Sequence, residues 1–181
     1  RGKKPLVITV GGAYGVHTEL AAKLSHHYKL TVVDVGAKAR GKELSVEQHY
    51  ALDADAIGQI SSHKNGCIVV GRIAHLYDNK DFLETLGKKM GKQIIPPEIS
   101  AKVLLDSDSL LEVEGLPDAD AKQIELFQKN NEVEKRILKL YGKSAILLGS
   151  GNYDSVVKTP LKRQPEKIRD VISAIQKARK W

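Results

Sequence analysis

The sequence predicts an α/β fold with a mostly parallel sheet of five strands, covered by helices on both faces. Three observations predict it. Short runs rich in β-branched residues, typical of strands buried on both faces, alternate with segments of helical periodicity. A glycine-rich turn joins the first run to the first helical segment, and an amphipathic segment closes the chain. Such alternation favours parallel strands, with ligands bound beyond their carboxyl ends.

The first two strands and the helix between them form a predicted βαβ unit. Residues 6–10 are mostly β-branched and end in Gly11 and Gly12, which indicates a buried strand followed by a turn. Apolar residues recur at helical spacing from residue 18 to residue 28, so we expect a helix there. Residues 30–33 then predict the second buried strand.

A second helix and a third strand follow. Residues 46–61 predict a helix, and residues 67–70 predict a strand that runs into the turn Gly71-Arg72, with a short helix after it. One face of the predicted helix is apolar, and it comprises Tyr50, Ala54 and Ile57.

The rest of the chain predicts a fourth strand, a long helix, a fifth strand and a last helix. The fourth strand is residues 102–105, and the long helix lies between residues 119 and 141, with Gly142 as its stop. Residues 145–148 and residues 155–157 are both candidates for the fifth strand, and periodicity does not choose between them. The last helix spans residues 165–179, and its inward side comprises Ile168, Val171, Ile172 and Ile175.

Composition limits the class of protein. The hydrophobic share of 41% and the charged share of 28% are ordinary for a globular protein, and the longest apolar stretches are far shorter than the roughly 20 residues of a membrane span. We therefore expect a soluble protein without a membrane partner. Cys67 is the only cysteine, so it cannot form an internal disulfide, and we expect a buried structural thiol in a reducing compartment.

The charge favours an anionic partner. The formal net charge is +7 and the pI is near 9.4, which fits nucleotides, nucleic acid or merely a lysine-rich surface.

The chain begins at Arg1 rather than methionine, which we interpret as trimming, tag removal or loss of a targeting peptide. We expect a cytoplasmic protein, or alternatively one in an organellar matrix after removal of such a peptide.

The turn after the first strand lies where a phosphate-binding loop must be. It reads Gly11-Gly12-Ala13-Tyr14-Gly15-Val16-His17-Thr18, and its backbone N–H groups would face an anion at the start of the helix. Measured against G-x-x-x-x-G-K-[ST], Gly11 and Thr18 match, while Val16 replaces the second glycine and His17 replaces the lysine. Both replacements predict weaker binding of the terminal phosphates, although Thr18 can still ligate Mg²⁺. Alternatively, the glycines only make a tight turn into a helix.

Four segments, in order, resemble the cytidylate kinases and their relatives among the P-loop nucleoside monophosphate kinases. Residues 8–35 resemble the family's opening, and residues 34–40 follow its pattern D-T-G-A-x-Y-R without the threonine and tyrosine. Residues 67–72 resemble its strand ending in G-R, and residues 152–159 its strand Y-D-L-V-I-N-T. The resemblance implies that Arg40 and Arg72 contact the acceptor monophosphate and that Asp34 helps to organise the acceptor site.

The resemblance also implies the fold and the reaction. The fold would be the three-layer P-loop NTPase fold, with residues 1–181 forming one domain. Within it, an acceptor-binding insert would span about residues 37–64 and a lid-like region about residues 106–135. The reaction would transfer a phosphoryl group from ATP, with Mg²⁺ as cofactor, to CMP, dCMP or a similar nucleoside monophosphate.

The chain departs from this family where charge matters most, so we interpret it as a degenerate member. The family's lid supplies arginines that neutralise the transferred phosphoryl group. Here the stretch is acidic, and it comprises Asp106, Asp108, Glu112, Glu114, Asp118 and Asp120. In the following helix we take Lys129, Lys135 and Arg136 as the cationic replacements, and Arg136 is the best candidate for a catalytic residue beside His17.

Two functions therefore stay open at this point. One is a working or weakened kinase for a nucleoside monophosphate. The other is a catalytically inactive relative that binds nucleotide or serves as a structural subunit of a ribonucleoprotein assembly, with RNA or protein partners on its basic surface. We discount a metal site, because the histidines match no zinc-binding spacing; they include His26, His27, His49, His63 and His75.

Overall fold

The computed structural model describes residues 4–12, 17–106, 128, 132–133, 135–142, 153–158 and 166–179. Five strands are present, and they are β1 Leu6–Gly12, β2 Val32–Asp34, β3 Gly66–Val70, β4 Ala101–Asp106 and β5 Ser155–Lys158. The helices are α1 His17–Tyr28, α2 Val46–Ser62, α3 Lys80–Met90, the helical residues described within 128–141, here called α4, and α5 Glu166–Ala178.

The five strands form one parallel sheet. Their order across the sheet is β2-β3-β1-β4-β5, and every adjacent pair is parallel. The first strand is central, with Val10 opposite Val70 on one side and Val103 on the other. The predicted parallel α/β sheet is therefore confirmed, and its carboxyl ends form one edge.

Helices cover both sides of the sheet and divide the core in two. On the side that we call the α2 face, α2, α3 and α4 pack on alternate strand residues such as Val7, Val33 and Val69. On the other side, the α5 face, α1 and α5 pack on the intervening residues, such as Ile8 and Val10. The alternation follows from the period of two in a strand, which sends successive side chains to opposite faces.

The second strand begins two residues later than the sequence predicts. Lys29 has a positive φ of 57°, and the N–H of Leu30 donates to the carbonyl of Ser25 at 3.2 Å. The Ser25 hydroxyl in turn donates to the Leu30 carbonyl at 2.6 Å. Leu30 therefore closes the end of α1, and pairing with β3 starts at Val32.

The region after β3 contains more helix than predicted. The expected short helix is a 3₁₀ turn, Ala74–Leu76, and α3 follows it. The Asn79 side chain accepts a hydrogen bond from the N–H of Phe82 and so caps the start of α3, while Gly91 ends the helix with φ of 67°. Phe82 and Leu86 are fully buried on the α2 face.

The end of the chain resolves the ambiguity about the last strand. Residues 155–158 pair with β4, with Ser155 opposite Val103, whereas residues 145–148 lie outside the described residues. The predicted last helix is confirmed, since Val171 and Ile175 are fully buried on the α5 face. Gly142 has φ of 59° at the end of α4.

Two expectations from composition can be compared with the structure. Cys67 is a fully buried free cysteine in β3, and burial raises the pKa of its thiol to about 11, so the expected structural thiol is confirmed. None of the helices in the described ranges is both long and apolar enough to cross a membrane.

The predicted lid, about residues 106–135, falls almost entirely outside the described residues.

Candidate functional site

The carboxyl ends of β1, β2 and β3 come together at one edge of the sheet. The N–H of Gly71 donates to the Val10 carbonyl at 3.2 Å, and the N–H of Val35 donates to the Val70 carbonyl at 3.0 Å. A side chain at Gly71 would place its Cβ 3.1 Å from the Val35 Cγ2 atom, so glycine allows the two connections to lie this close. Residues that follow the three strands are therefore neighbours.

The predicted phosphate loop occupies the connection between β1 and α1. Gly11 and Gly12 are the last residues of β1, and His17 is the first residue of α1, so the strand–turn–helix arrangement is present. Residues 13–16, which are Ala13, Tyr14, Gly15 and Val16, lie outside the described residues, as do the side chains of His17 and Thr18. The catalytic role of His17 and the Mg²⁺ role of Thr18 therefore stay predictions.

The start of this loop adjoins the backbone of Arg72. A Cβ atom built on Gly11 would lie 3.5 Å from the carbonyl oxygens of Gly71 and Arg72, in ordinary van der Waals contact. The position expected to hold the donor phosphates is therefore next to the strand end that carries Arg72.

A cavity of about 470 Å³ opens beside this edge, between the ends of β2 and β3 and the helices α2 and α4. It is lined by the three predicted acceptor-site residues, Asp34, Arg40 and Arg72, and by the predicted catalytic residue Arg136. The structure thus brings together four residues that lie as far as 102 positions apart in the sequence. Lys42 and His49 add further basic side chains to the lining.

Asp34 and Arg40 form an ion pair at the mouth of the cavity. The Arg40 Nη2 atom lies 2.6 Å from Asp34 Oδ2, and the other carboxylate oxygen accepts a hydrogen bond from the N–H of Gly36 at 3.1 Å. The Arg40 side chain is half exposed. A guanidinium has five N–H donors, so Arg40 can keep this pair and still offer donors to an anion.

The wall of the cavity contains a buried carboxylate that the sequence interpretation missed. Asp53 on α2 is 8% exposed, and the Tyr77 hydroxyl donates to its Oδ1 atom at 2.6 Å. The Tyr141 hydroxyl donates to its Oδ2 atom. All three residues line the cavity. Asp53 lies on the predicted apolar face of α2, three residues after Tyr50, and an acidic residue on such a face was the available signal.

Burial sets the protonation behaviour of this cluster. It raises the pKa of Asp53, against the opposing effects of the two tyrosine hydrogen bonds and the nearby Arg136 charge. Burial and the Asp53 charge also raise the pKa of Tyr77 and Tyr141, so both hydroxyls stay protonated and donate. Burial followed by the Arg136 charge lowers the pKa of His49, which favours a neutral imidazole in the cavity.

Comparisons with known proteins identify the fold. No family model and no curated protein matches the chain. A solved structure of a gluconokinase from Sinorhizobium meliloti 1021 matches 97% of this chain and 94% of its own, with a TM-score of 0.53 and 13% identity. An uncharacterised protein from Eubacterium ventriosum ATCC 27560 matches 94% of this chain and 98% of its own, with a TM-score of 0.50 and 14% identity.

At these identities the similarity establishes the fold alone. The chain has the α/β P-loop fold found in kinases, with a parallel five-stranded sheet between two layers of helices. None of the comparisons supports the narrower resemblance to the cytidylate kinases.

Proposed function

We propose that this chain is a P-loop kinase that transfers a phosphoryl group from ATP to a nucleoside monophosphate, such as CMP or dCMP, held in the cavity. One observation carries the proposal: Arg40, Arg72 and Arg136 line a single cavity beside the connection between β1 and α1. Arginine suits this task, because its planar fork of donors binds phosphate oxygens in pairs.

The walls of the cavity support an acceptor that is part apolar and part anionic. Its volume of about 470 Å³ is within the range of small-molecule sites. Beside the arginines, the lining includes apolar side chains that would pack on a base or sugar, among them Val35, Leu52, Val133 and Ile137. The acceptor phosphate would then face the arginines, and the nucleoside would lie against α2 and α4.

The donor would bind on the neighbouring loop. Backbone N–H groups at the start of α1 favour an anion there, and His17 stands where lysine is usual. Thr18 belongs to the first turn of α1, and we assign its hydroxyl to Mg²⁺, a cation that prefers oxygen ligands. When bound, Mg²⁺ would neutralise charge on the terminal phosphates. The missing lysine predicts slow turnover.

Catalysis in such a site consists of positioning and charge stabilisation, and it needs no covalent intermediate. Arg72 would hold the acceptor phosphate from the end of β3. Arg136 would approach from α4 and neutralise the charge that develops on the phosphoryl group as it moves.

Two measurements on the purified chain test the proposal. Calorimetry with CMP, ATP and Mg²⁺ measures binding, and a coupled assay of ADP release measures turnover. We expect CMP-dependent ADP release in the wild type, and we expect Arg72→Ala to reduce kcat/KM about a hundredfold or more, since one charge-assisted contact to the transition state is lost.

Arg169→Ala is the matched control. It removes a guanidinium from the exposed side of α5, on the opposite face of the sheet, so turnover should stay at the wild-type value. Nucleotide binding without ADP release would favour the non-catalytic, nucleotide-binding relative. No binding of ATP or CMP at millimolar concentration would overturn both functions.

A further inference from the structure

The carboxylate of Asp53 is buried beside apolar side chains, a position that is unfavourable for a charged group. Asp53 is buried on α2, and the two tyrosines that donate to it, Tyr77 and Tyr141, belong to the buried apolar cluster of the α2 face. Burying a charge costs several kcal/mol even when it is paired, and apolar residues of similar volume are often at least as stable in such a place. Stability of the core alone therefore does not account for Asp53.

The two hydrogen bonds of Asp53 connect three separate elements. Asp53 itself is on α2, Tyr77 follows the 3₁₀ turn after β3, and Tyr141 is in the last turn of α4. The Tyr141 ring also packs on Phe82 of α3, with centroids 4.6 Å apart. A single carboxylate thus holds the end of α4 against the body of the α2 face.

The same helix carries Arg136. Residues 136 and 140 are one turn apart, as are residues 137 and 141, and all four line the cavity. Fixing Tyr141 and its neighbour Leu140 therefore fixes the turn from which the guanidinium of Arg136 extends. Leu140 has its own anchor, because its carbonyl accepts a hydrogen bond from the Tyr50 hydroxyl at 2.6 Å.

We propose that Asp53 is a positioning residue of this cavity, which acts through Tyr141 to dock the end of α4 on α2 and so holds Arg136 ready for the acceptor phosphate. The proposal rests on the proposed function, because it assigns Arg136 an anionic acceptor. It extends that function by naming the device that sets the geometry of Arg136. Asp53 itself needs no contact with the substrate.

Hydrogen exchange tests the docking without any ligand. Tyr141→Phe keeps the ring and removes the hydroxyl, so we expect the amides of residues 135–141 to exchange about fivefold to tenfold faster, as the loss of one ordinary hydrogen bond predicts. Asp53→Asn should give a smaller increase, because its amide oxygen still accepts from one tyrosine hydroxyl and its N–H₂ group can donate to the oxygen of the other. Both variants keep the size and shape of the original side chain, so the test does not depend on a variant such as Asp53→Ala that could fail to fold.

Ile175→Val is the control for general destabilisation. It removes one buried methylene group from α5, on the opposite face of the sheet from α4. In this variant the amides of residues 135–141 and those of α5 should change together. Unaltered exchange at residues 135–141 in Tyr141→Phe, or an increase no larger than in the control, would overturn the proposal.

A double-mutant cycle with CMP binding tests the link to Arg136. In the wild-type background, we expect Tyr141→Phe to weaken CMP binding about fivefold. In the Arg136→Ala background, the same change should have no further effect, because the residue that it positions is gone. Equal weakening in both backgrounds would show that Tyr141 acts independently of Arg136 and would contradict the proposal.

The hydrogen-exchange experiment and the CMP-binding experiment together distinguish a failure of the positioning role from a failure of the proposed function. If the wild type binds neither CMP nor ATP, the proposed function fails and Arg136 loses its assigned ligand. Hydrogen exchange then still decides whether Asp53 docks α4. If CMP binds and the exchange of residues 135–141 does not respond, the positioning role fails and the proposed function stands.

Discussion

The two faces of the sheet differ in what they bury. On the α5 face, apolar side chains from α1, α5 and the strands form one buried cluster. Among the described residues, the buried polar side chains are Thr9, Asp53 and His75. Asp53 lies in the wall of the cavity on the α2 face, and Thr9 points to that face by alternation with Val7.

The comparison separates stability from function. Apolar burial stabilises the fold without directional requirements, whereas a buried polar group costs free energy unless it is hydrogen-bonded. Asp53 has its partners, whereas the ring nitrogens of His75 and the hydroxyl of Thr9 have no hydrogen bond to any residue that the structure describes. The buried cluster of the α5 face therefore serves stability, whereas the α2 face also contains the hydrogen-bonded Asp53 in the wall of the cavity.

The largest expected effect on stability comes from the apolar face. Ile175 is fully buried between α5 and the sheet, so Ile175→Ala should lower the free energy of unfolding by about 3 kcal/mol through lost burial and a residual cavity. Urea denaturation at pH 7 measures the loss. Because none of the described side chains of α5 lines the cavity, the affinity of the folded protein for CMP should not change.

If CMP binding to Ile175→Ala weakened in proportion to the lost free energy of unfolding, the separation between a stabilising α5 face and a functional α2 face would be wrong. The two faces would then be coupled, and the cavity would depend on the packing of the whole sheet rather than on its own wall. Binding must be measured in the absence of denaturant, where the folded state is still fully populated.

A smaller effect, which depends on pH, is expected from His75, which is buried in the 3₁₀ turn after β3. Burial, followed by the charge of Lys102, lowers the pKa of His75 from 6.5 to about 4. The unfolded chain therefore binds this proton first as the pH falls, so the contribution of His75 to stability is complete above pH 6.5 and is lost between pH 6.5 and 4. At pH 5 the loss should be about 2 kcal/mol.

His75→Leu isolates this contribution. It removes the titrating ring, so the variant should gain about 2 kcal/mol relative to the wild type when the pH changes from 7 to 5. Urea denaturation of both proteins at the two pH values measures the difference, and the other titrating groups cancel in the subtraction. A difference that is independent of pH would show that His75 is protonated as easily in the folded protein as in the unfolded one.

The order of the elements could be predicted from the sequence because periodicity reports burial directly. The buried runs around Ile8 and Ile68 and the amphipathic α5 have strong patterns, and the structure confirms them. The start of β2 could not be predicted, since Leu30 is apolar whether it closes a helix or begins a strand. Its role depends on the hydrogen bonds with Ser25, which leave no periodic signal.

The site was predictable only in part, for a similar reason. Arg40 and Arg72 follow strands and a turn, and the parallel topology brings such positions together at one edge of the sheet. The Asp53 cluster joins residues as far as 88 positions apart, which no local pattern reveals. The α3 helix was missed although Asn79 and Gly91 mark its two ends.

The smallest effect on stability, and the sharpest test of the acceptor site, comes from two neighbouring ion pairs. Arg40 pairs with Asp34 at 2.6 Å, and Lys38 pairs with Asp55 at 3.2 Å, and both cations are at least half exposed. Exposed pairs contribute little because solvent and salt screen them. Arg40→Gln and Lys38→Gln should each therefore change the free energy of unfolding by less than about 1 kcal/mol.

Their effects on the cavity should differ. Arg40 lines it and Lys38 is not among its described lining residues, so Arg40→Gln should weaken CMP binding about tenfold while Lys38→Gln leaves it within about twofold. Calorimetry at two salt concentrations should show that added salt reduces the Arg40 contribution, as expected for a charge at the mouth of a site. Equal effects of the two variants would mean that the net charge of this surface, rather than the fork of Arg40, attracts the nucleotide.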